Sequence, residues 1–449
     1  MTPHLRTITF SLPGYTSYEH RLAVPLVHEG LDYSAAQREI EIFARELVRD
    51  GNADAPRIVF FQGGPGSPAT RPETMNGWVQ RILEDYRLVL LDERGTGQSS
   101  AIDARVLTGI GTPEEQADYL ACFRQDSIVA DAEALRRELQ GDSPWSALGQ
   151  SFGGFCITTY LSQAPGGLTE AMITAGLPST HRHADDVYRL TYAQTERRHQ
   201  QFFERYPGDE DTCWRIVGHL SDSAAAGEPE LLPTGDALTS RRFRMLGITL
   251  GSSYGFEKLH YILEDPFVDG RLTSRFLTAV SAELSYGPNP LYWALHESIY
   301  QQRNLAPRWS AHRVRGQFPQ FRQPEPSASA ERALRAEGHG FRFTGEHVFP
   351  WQGKEDPALA PIAEAVNLLA TREDLPNLHD RGVLAANTVP VVAWIYTQDM
   401  FVPAEICHET AADIAGIKTL VSQDYHHDAL RSHGPAVVDA MLLALNEPR

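Results

Sequence analysis

Lysine is nearly missing from this chain. Lys258, Lys354 and Lys418 are the only three, and arginine carries the remaining positive charge. That charge is itself in short supply: 40 basic residues face 58 acidic ones, a formal net charge of −18. With no basic stripe to neutralise phosphates, nucleic acid is excluded as a partner class. Cysteine is scarce too. Cys122, Cys156, Cys213 and Cys407 are scattered, with no C-x-x-C pair, so neither a disulfide framework nor a zinc site follows. Cys156 reads as a packing residue. No apolar run is long enough to span a membrane. Met1 to Phe10 lacks the basic head and apolar core of a signal peptide, so the expected location is the cytoplasm. There is no internal repeat.

What is present is an ordinary globular composition, 42% hydrophobic, in 449 residues. That length calls for one large domain with an insertion, or for two domains. Arg6–Leu12, His20–Leu26 and Glu39–Leu47 read as antiparallel strands, with turns at Tyr15–Tyr18 and His28–Ser34. Arg57–Phe61 and Leu88–Leu91 are continuous apolar runs, as in strands buried on both faces. A long helical pattern covers Pro113–Leu139, with a break near Gln125 where Asp126 or Ser127 could cap a new helix. A further strand is expected at Leu168–Gly176. From Pro178 the alternation stops, and about two hundred residues read as helices and loops, with the stretch from Arg303 to Gly340 irregular in part. Strands resume at Thr388–Tyr396 and Ile417–Ser422, and a helix over Pro435–Leu445 closes the chain. The expected architecture is α/β, with a mostly parallel sheet and helices on both faces. The sheet core is expected in two parts, 1–177 and 386–449, around a mainly helical cap at 178–385.

One stretch organises the rest. Gly149-Gln-Ser-Phe-Gly153 reads G-x-S-x-G between an apolar run and a helix-compatible run. Strand, very tight turn and helix make a nucleophile elbow, which exposes Ser151 Oγ near a helix N-terminus. An activated serine needs a base, and the base needs an orienting acid. In the α/β-hydrolase architecture these follow in the order Ser, Asp, His, at the ends of strands. Asp399 stands after the strand ending at Tyr396. His426 and His427 both stand after the strand at Leu420. For the oxyanion, one donor is the N–H of Phe152. The other comes from Gln62-Gly-Gly-Pro-Gly66, where Gly63 and Gly64 let the backbone approach; Gly64 is taken as the donor.

These pieces, together with Asp92-Glu-Arg-Gly-Thr-Gly-Gln-Ser99 and Tyr425-His-His-Asp428, resemble the longer, large-cap form of the prolyl aminopeptidases (proline iminopeptidases) of the α/β-hydrolase superfamily. The matching pieces spread from about residue 57 to 431. The one departure is Gln62, where the family usually carries histidine; because the loop's donor is a backbone N–H, activity is expected to survive. The resemblance implies Ser151 as nucleophile, Asp399 as orienting acid and His427, rather than His426 or His433, as base. It implies small peptides with an N-terminal proline as substrates, and neither metal nor cofactor. It also points to Glu297 and Glu346, in the inserted region, as carboxylates that hold the substrate's amine. Phe152, Tyr292, Trp293, Tyr300, Phe349 and Trp351 are candidates for the ring pocket. Three other readings use the same elements: an esterase or amidase acting on a small non-peptide acyl substrate, an aminopeptidase of broader N-terminal specificity, and a non-catalytic binding protein. Whether either glutamate lines the pocket separates the aminopeptidase from the esterase reading, and labelling by a fluorophosphonate probe separates an enzyme from a binding protein.

Overall fold

Alternating apolar residues build the first three strands, β1 (Arg6–Leu12), β2 (Tyr15–Pro25) and β3 (Glu39–Arg49), into an antiparallel ribbon. The computed structural model describes residues 5–29, 38–322 and 327–447. Tyr15–Tyr18 is not a turn. It opens β2, with Tyr15 paired to Leu12 and Tyr18 to Thr9, as suits aromatic and β-branched residues. The chain reverses at Pro13-Gly14, where Gly14 takes φ +80°, a conformation open to glycine. The turn expected at His28–Ser34 falls largely outside the described residues.

The apolar runs form β4 (Arg57–Phe61), β5 (Arg87–Asp92), β6 (Trp145–Gln150), β7 (Leu168–Thr174), β8 (Val391–Tyr396) and β9 (Ile417–Ser422). The nine strands lie in the order β1-β2-β3-β5-β4-β6-β7-β8-β9. β3 meets β5 antiparallel, and every pair from β5 onward is parallel. β6 is buried along its whole length, the mark of a strand covered on both faces. Parallel strands end on the same edge, so the Gln62 loop, Ser151, Asp399 and His427 all arise along that edge. The α/β-hydrolase expectation therefore holds for the sheet.

The pattern over Pro113–Leu139 resolves into two helices, Pro113–Ala121 and Gln125–Gln140. The first carries a full capping box between Thr112 and Glu115. The second begins after Arg124 with no side-chain cap, so Asp126 and Ser127 lie in its first turn and do not cap it. Helix Phe152–Gln163 is buried except at its last residue, which places it in the core and explains its apolar character all round. Between β7 and β8 come helices and one short hairpin, Phe267–Val268 with Arg271–Leu272. Helix Gly434–Asn446 packs under the sheet's last strands. Among the described residues, no helix is long and apolar enough to cross a membrane.

A buried ion pair ties the antiparallel ribbon to the parallel sheet. Arg94, just beyond β5, has its side chain fully enclosed. It donates from Nε to Asp131 Oδ2 at 2.7 Å and from Nη2 to Asp131 Oδ1 at 2.6 Å. Nη1 reaches the carbonyls of Leu26 and Cys122, each at 2.7 Å. One guanidinium thus joins the end of β2, the Cys122 turn and helix Gln125–Gln140. Burial opposes the charge on Asp131, but Arg94 and His28 outweigh it and hold the carboxyl below its usual range. Asp131→Ala removes the carboxylate that balances the buried Arg94 charge. A loss of about 3–5 kcal/mol is expected in urea unfolding.

Candidate active site

The elbow depends on backbones that nearly touch. Ser151 sits at φ +56°, ψ −123°, a strained region for a residue with a side chain. Its N–H donates to Thr174 O at 3.0 Å, which anchors the turn to β7. A Cβ on Gly149 would lie 2.4 Å from Gly153 O, and one on Gly153 would lie 2.0 Å from Phe61 O. One on Gly154 would lie 2.4 Å from Gly176 O. The glycines of the motif are therefore steric requirements of strand β6, strand β4 and helix Phe152–Gln163 meeting at one point.

Asp399 and His427 meet across the ends of β8 and β9. Asp399 Oδ2 accepts from His427 Nδ1 at 2.7 Å. Its Oδ1 accepts the N–H groups of Phe401 at 2.8 Å and Val402 at 3.1 Å. The carboxylate is thus fixed on both sides, and Nε2 of the imidazole is left as the free nitrogen. Burial disfavours the imidazolium, but the Asp399 charge and hydrogen bond prevail and hold the His427 pKa above its ordinary value. The Phe401 ring stands edge-on to the imidazole, with centroids 4.8 Å apart. Gln150 Nε2 donates to His427 O at 3.1 Å, so the residue before the nucleophile also holds the histidine loop. Ser151 and His427 line one cavity, and no hydrogen bond joins Ser151 Oγ to the ring here. Catalytic contacts of this kind often tighten only when substrate is bound.

The loop after β4 is braced by the Asp92–Ser99 segment. Asp92 Oδ1 accepts from Ala69 N–H at 3.0 Å, and its Oδ2 accepts from Gln98 N–H at 2.8 Å. Arg71 binds both of its oxygens. Ser99 Oγ donates to Asp92 O at 2.6 Å and accepts from Phe43 N–H at 2.9 Å. The neighbouring Glu93 is fully buried, and desolvation pushes its carboxyl well above the usual range. A Cβ on Gly63 would lie 3.1 Å from Ser151 Cβ, so this glycine borders the nucleophile directly. From the inserted region, Asn289 Nδ2 donates to Ser67 Oγ at 3.1 Å. A Cβ on Gly66 would lie 2.6 Å from Leu291 Cβ.

The cavity holding Ser151 and His427 has a volume of about 310 Å³. Glu346, Tyr292, Glu283 and Ile248 divide it from a second chamber of about 180 Å³, walled by Met245, Leu284, Tyr286 and His347. Tyr292 OH donates to Glu346 Oε1 at 2.9 Å. Desolvation raises the Glu346 carboxyl to about 7, against the lowering effects of His427 and of the Tyr292 hydrogen bond. A half-buried carboxylate beside an imidazole favours a cation in the cavity.

Glu297 is placed otherwise. It lines neither chamber. Its two oxygens accept the N–H groups of Ser310 and Ala311, each at 2.9 Å, at the start of helix Ser310–Val314. An acid at a helix N-terminus meets unpaired N–H groups and the positive end of the dipole, and that use competes with binding an amine. Of the six aromatic candidates, only Tyr292 lines the chambers; Phe152, Trp293, Tyr300, Phe349 and Trp351 are buried and line neither. The roles of Gln150 and Gly176 were not read from the sequence. Gln150 was legible in principle, since it occupies the variable position of G-x-S-x-G. Gly176 gives no local signal, because its contact is with Ser151 O across two strands. Among the described residues, no group of three or more His, Cys, Asp or Glu side chains is placed to hold a metal ion.

Residues 56–433 match the alpha/beta hydrolase fold family. The chain is similar to a proline iminopeptidase from Aeromonas sobria, 39% identical over 435 residues, with 96% of this chain and 97% of the relative covered. It is 33% identical over 445 residues to a proline iminopeptidase from Aspergillus aculeatus, with 96% and 94% covered. Among solved structures, esterase E22 aligns over 95% of this chain and all of its own, at 11% identity and a TM-score of 0.47.

Gly153→Ala tests the close approach at the elbow. The added methyl meets a backbone carbonyl that cannot rotate away. The variant is expected to lose at least about 2 kcal/mol in urea unfolding. Ala at the open position Gly208, which has nothing within 4 Å, is the control.

Proposed function

The chain belongs to the proline iminopeptidase family of the alpha/beta hydrolase fold, and from that premise we propose that it is a serine aminopeptidase releasing N-terminal proline from small peptides. The observation that carries the reading is Glu346. Its carboxylate shares one cavity with Ser151 and His427 and is oriented by Tyr292. An esterase for neutral acyl groups has no use for such a carboxylate, whereas a free imino group needs one.

In the proposed course, Glu346 binds the protonated proline nitrogen and aligns the scissile carbonyl with Ser151. Ser151 Oγ attacks the carbonyl carbon while His427 Nε2 takes the hydroxyl proton. The Phe152 N–H, with an N–H of the Gly63-Gly64 loop, receives the oxyanion. The C–N bond then breaks, and His427 returns the proton to the departing amine. Water repeats the sequence on the prolyl-enzyme and frees proline. We assign amine binding to Glu346, and Glu297, already engaged by two backbone N–H groups, to holding the wall behind it. The inserted stretch at 178–385 serves as the cap that closes the site from above.

Two outcomes test the proposal. Ser151→Ala is expected to abolish turnover of a proline arylamide while the protein stays folded; near-wild-type activity in that variant refutes the assignment. Glu346→Gln keeps the shape and removes the charge, and is expected to lower kcat/KM by roughly 10- to 100-fold. The pH profile separates the two groups. A carboxyl raised to about 7 is ionised above that pH and neutral below it, so wild-type kcat/KM falls on the acid side through both Glu346 and His427. In Glu346→Gln only the His427 limb remains. An acid limb unchanged by the substitution would show that Glu346 does not hold the amine.

A further inference from the structure

The cavity around Ser151 carries charges of both signs. Its lining holds three acids, Glu346, Glu283 and Asp428, and two cations, Arg431 and Lys258. In a chain of net charge −18 with three lysines, two cations on this wall are a departure from the composition around them. They are not equivalent. Lys258 Nζ donates to Glu283 Oε2 at 2.7 Å, which answers its charge. Arg431 is exposed on the short helix Ala429–Ser432, four residues after His427. Among the described residues, no hydrogen bond or ion pair engages its side chain. The nearest acid in the chain, Asp428, turns its Oδ1 to Ser253, accepting the N–H and the O–H at 2.8 and 2.7 Å, and makes no ion pair with Arg431. Arg431 is close enough to bear on the imidazole, where its charge works against protonation of His427.

We propose that Arg431 recognises the C-terminal carboxylate of a short peptide on the leaving-group side of Ser151, so that the preferred substrates are di- and tripeptides with a free C-terminus. The inference rests on the aminopeptidase reading and specifies its substrate class. An acid and an unpaired guanidinium on the lining of one cavity match the two ends of a zwitterion. Two to three extended residues span about 7–11 Å, a length on the scale of a cavity of about 310 Å³. Guanidinium suits this task because its fork offers parallel donors to a carboxylate. The group is exposed, so the contribution is modest and sensitive to salt.

The test compares kcat/KM for Pro-Gly, Pro-Gly-amide and a proline arylamide in wild type, Arg431→Gln and Arg431→Lys. The acid-to-amide ratio is read within each protein, and its change between proteins cancels the intrinsic difference between the two leaving groups. That ratio is expected to fall about three- to tenfold from wild type to Arg431→Gln. It should recover in part in Arg431→Lys, and in wild type it should shrink as salt rises to about 1 M. A ratio unchanged by Arg431→Gln overturns the proposal even while the arylamide is cleaved normally. Failure of wild type to cleave any of the three proline substrates instead overturns the aminopeptidase reading itself.

Discussion

The whole site hangs on one place where three backbones crowd together. At the end of β6 the chain must turn so sharply that Ser151 takes φ +56°. It can do so only because Gly149, Gly153, Gly154 and Gly176 carry no side chain into the neighbouring carbonyls. Strain of this kind costs on the order of 1–3 kcal/mol and persists only where the surroundings over-determine it. Here they do. Ser151 N–H is held by β7, and the helix that follows is buried in the core. The return is positional: the serine hydroxyl projects from the sheet edge beside the N-terminus of that helix, and Asp399 and His427 arrive at the same edge from β8 and β9.

The electrostatics of the site follow from burial. Asp399 is held by two backbone N–H groups and by the imidazole, so its charge is satisfied where it stands. Glu346 has one hydrogen bond and little solvent, so its carboxyl rises to about 7. Two acids near one histidine thus differ through environment alone: one is fixed against the imidazole, and the other lines the cavity with its carboxyl raised.

Much of this was legible in the sequence, for physical reasons. The apolar runs of β4, β5 and β6 and the glycine spacing around Ser151 are local patterns that local physics imposes. Asp399 and His427 could be placed because each follows a recognisable strand. The turn at Tyr15 was misplaced because aromatic residues near a glycine carry no sign of which one bends the chain; Gly14 does. Glu297 and Glu346 looked alike in sequence, as acids among aromatics, and only tertiary packing separates them. The Ser310 and Ala311 N–H groups that claim Glu297 lie 13 and 14 residues away. Arg431 was passed over because an isolated arginine is ordinary, and only its lack of a partner beside the cavity sets it apart. The motif Asp92–Ser99 pointed to a family, but its work is mechanical: its side chains brace the loop beside the nucleophile.

The seam between that loop and the inserted region has a bearing on how such proteins can be recombined. Gly66 leaves room for Leu291, and Asn289 binds Ser67. Loop and insertion were therefore shaped against each other, although more than two hundred residues of chain separate them. An insertion transplanted from a relative would meet a loop cut to another profile. The natural unit of exchange in this architecture is accordingly discontinuous in the gene: the glycine loop and the Asn289–Leu291 segment travel together or not at all.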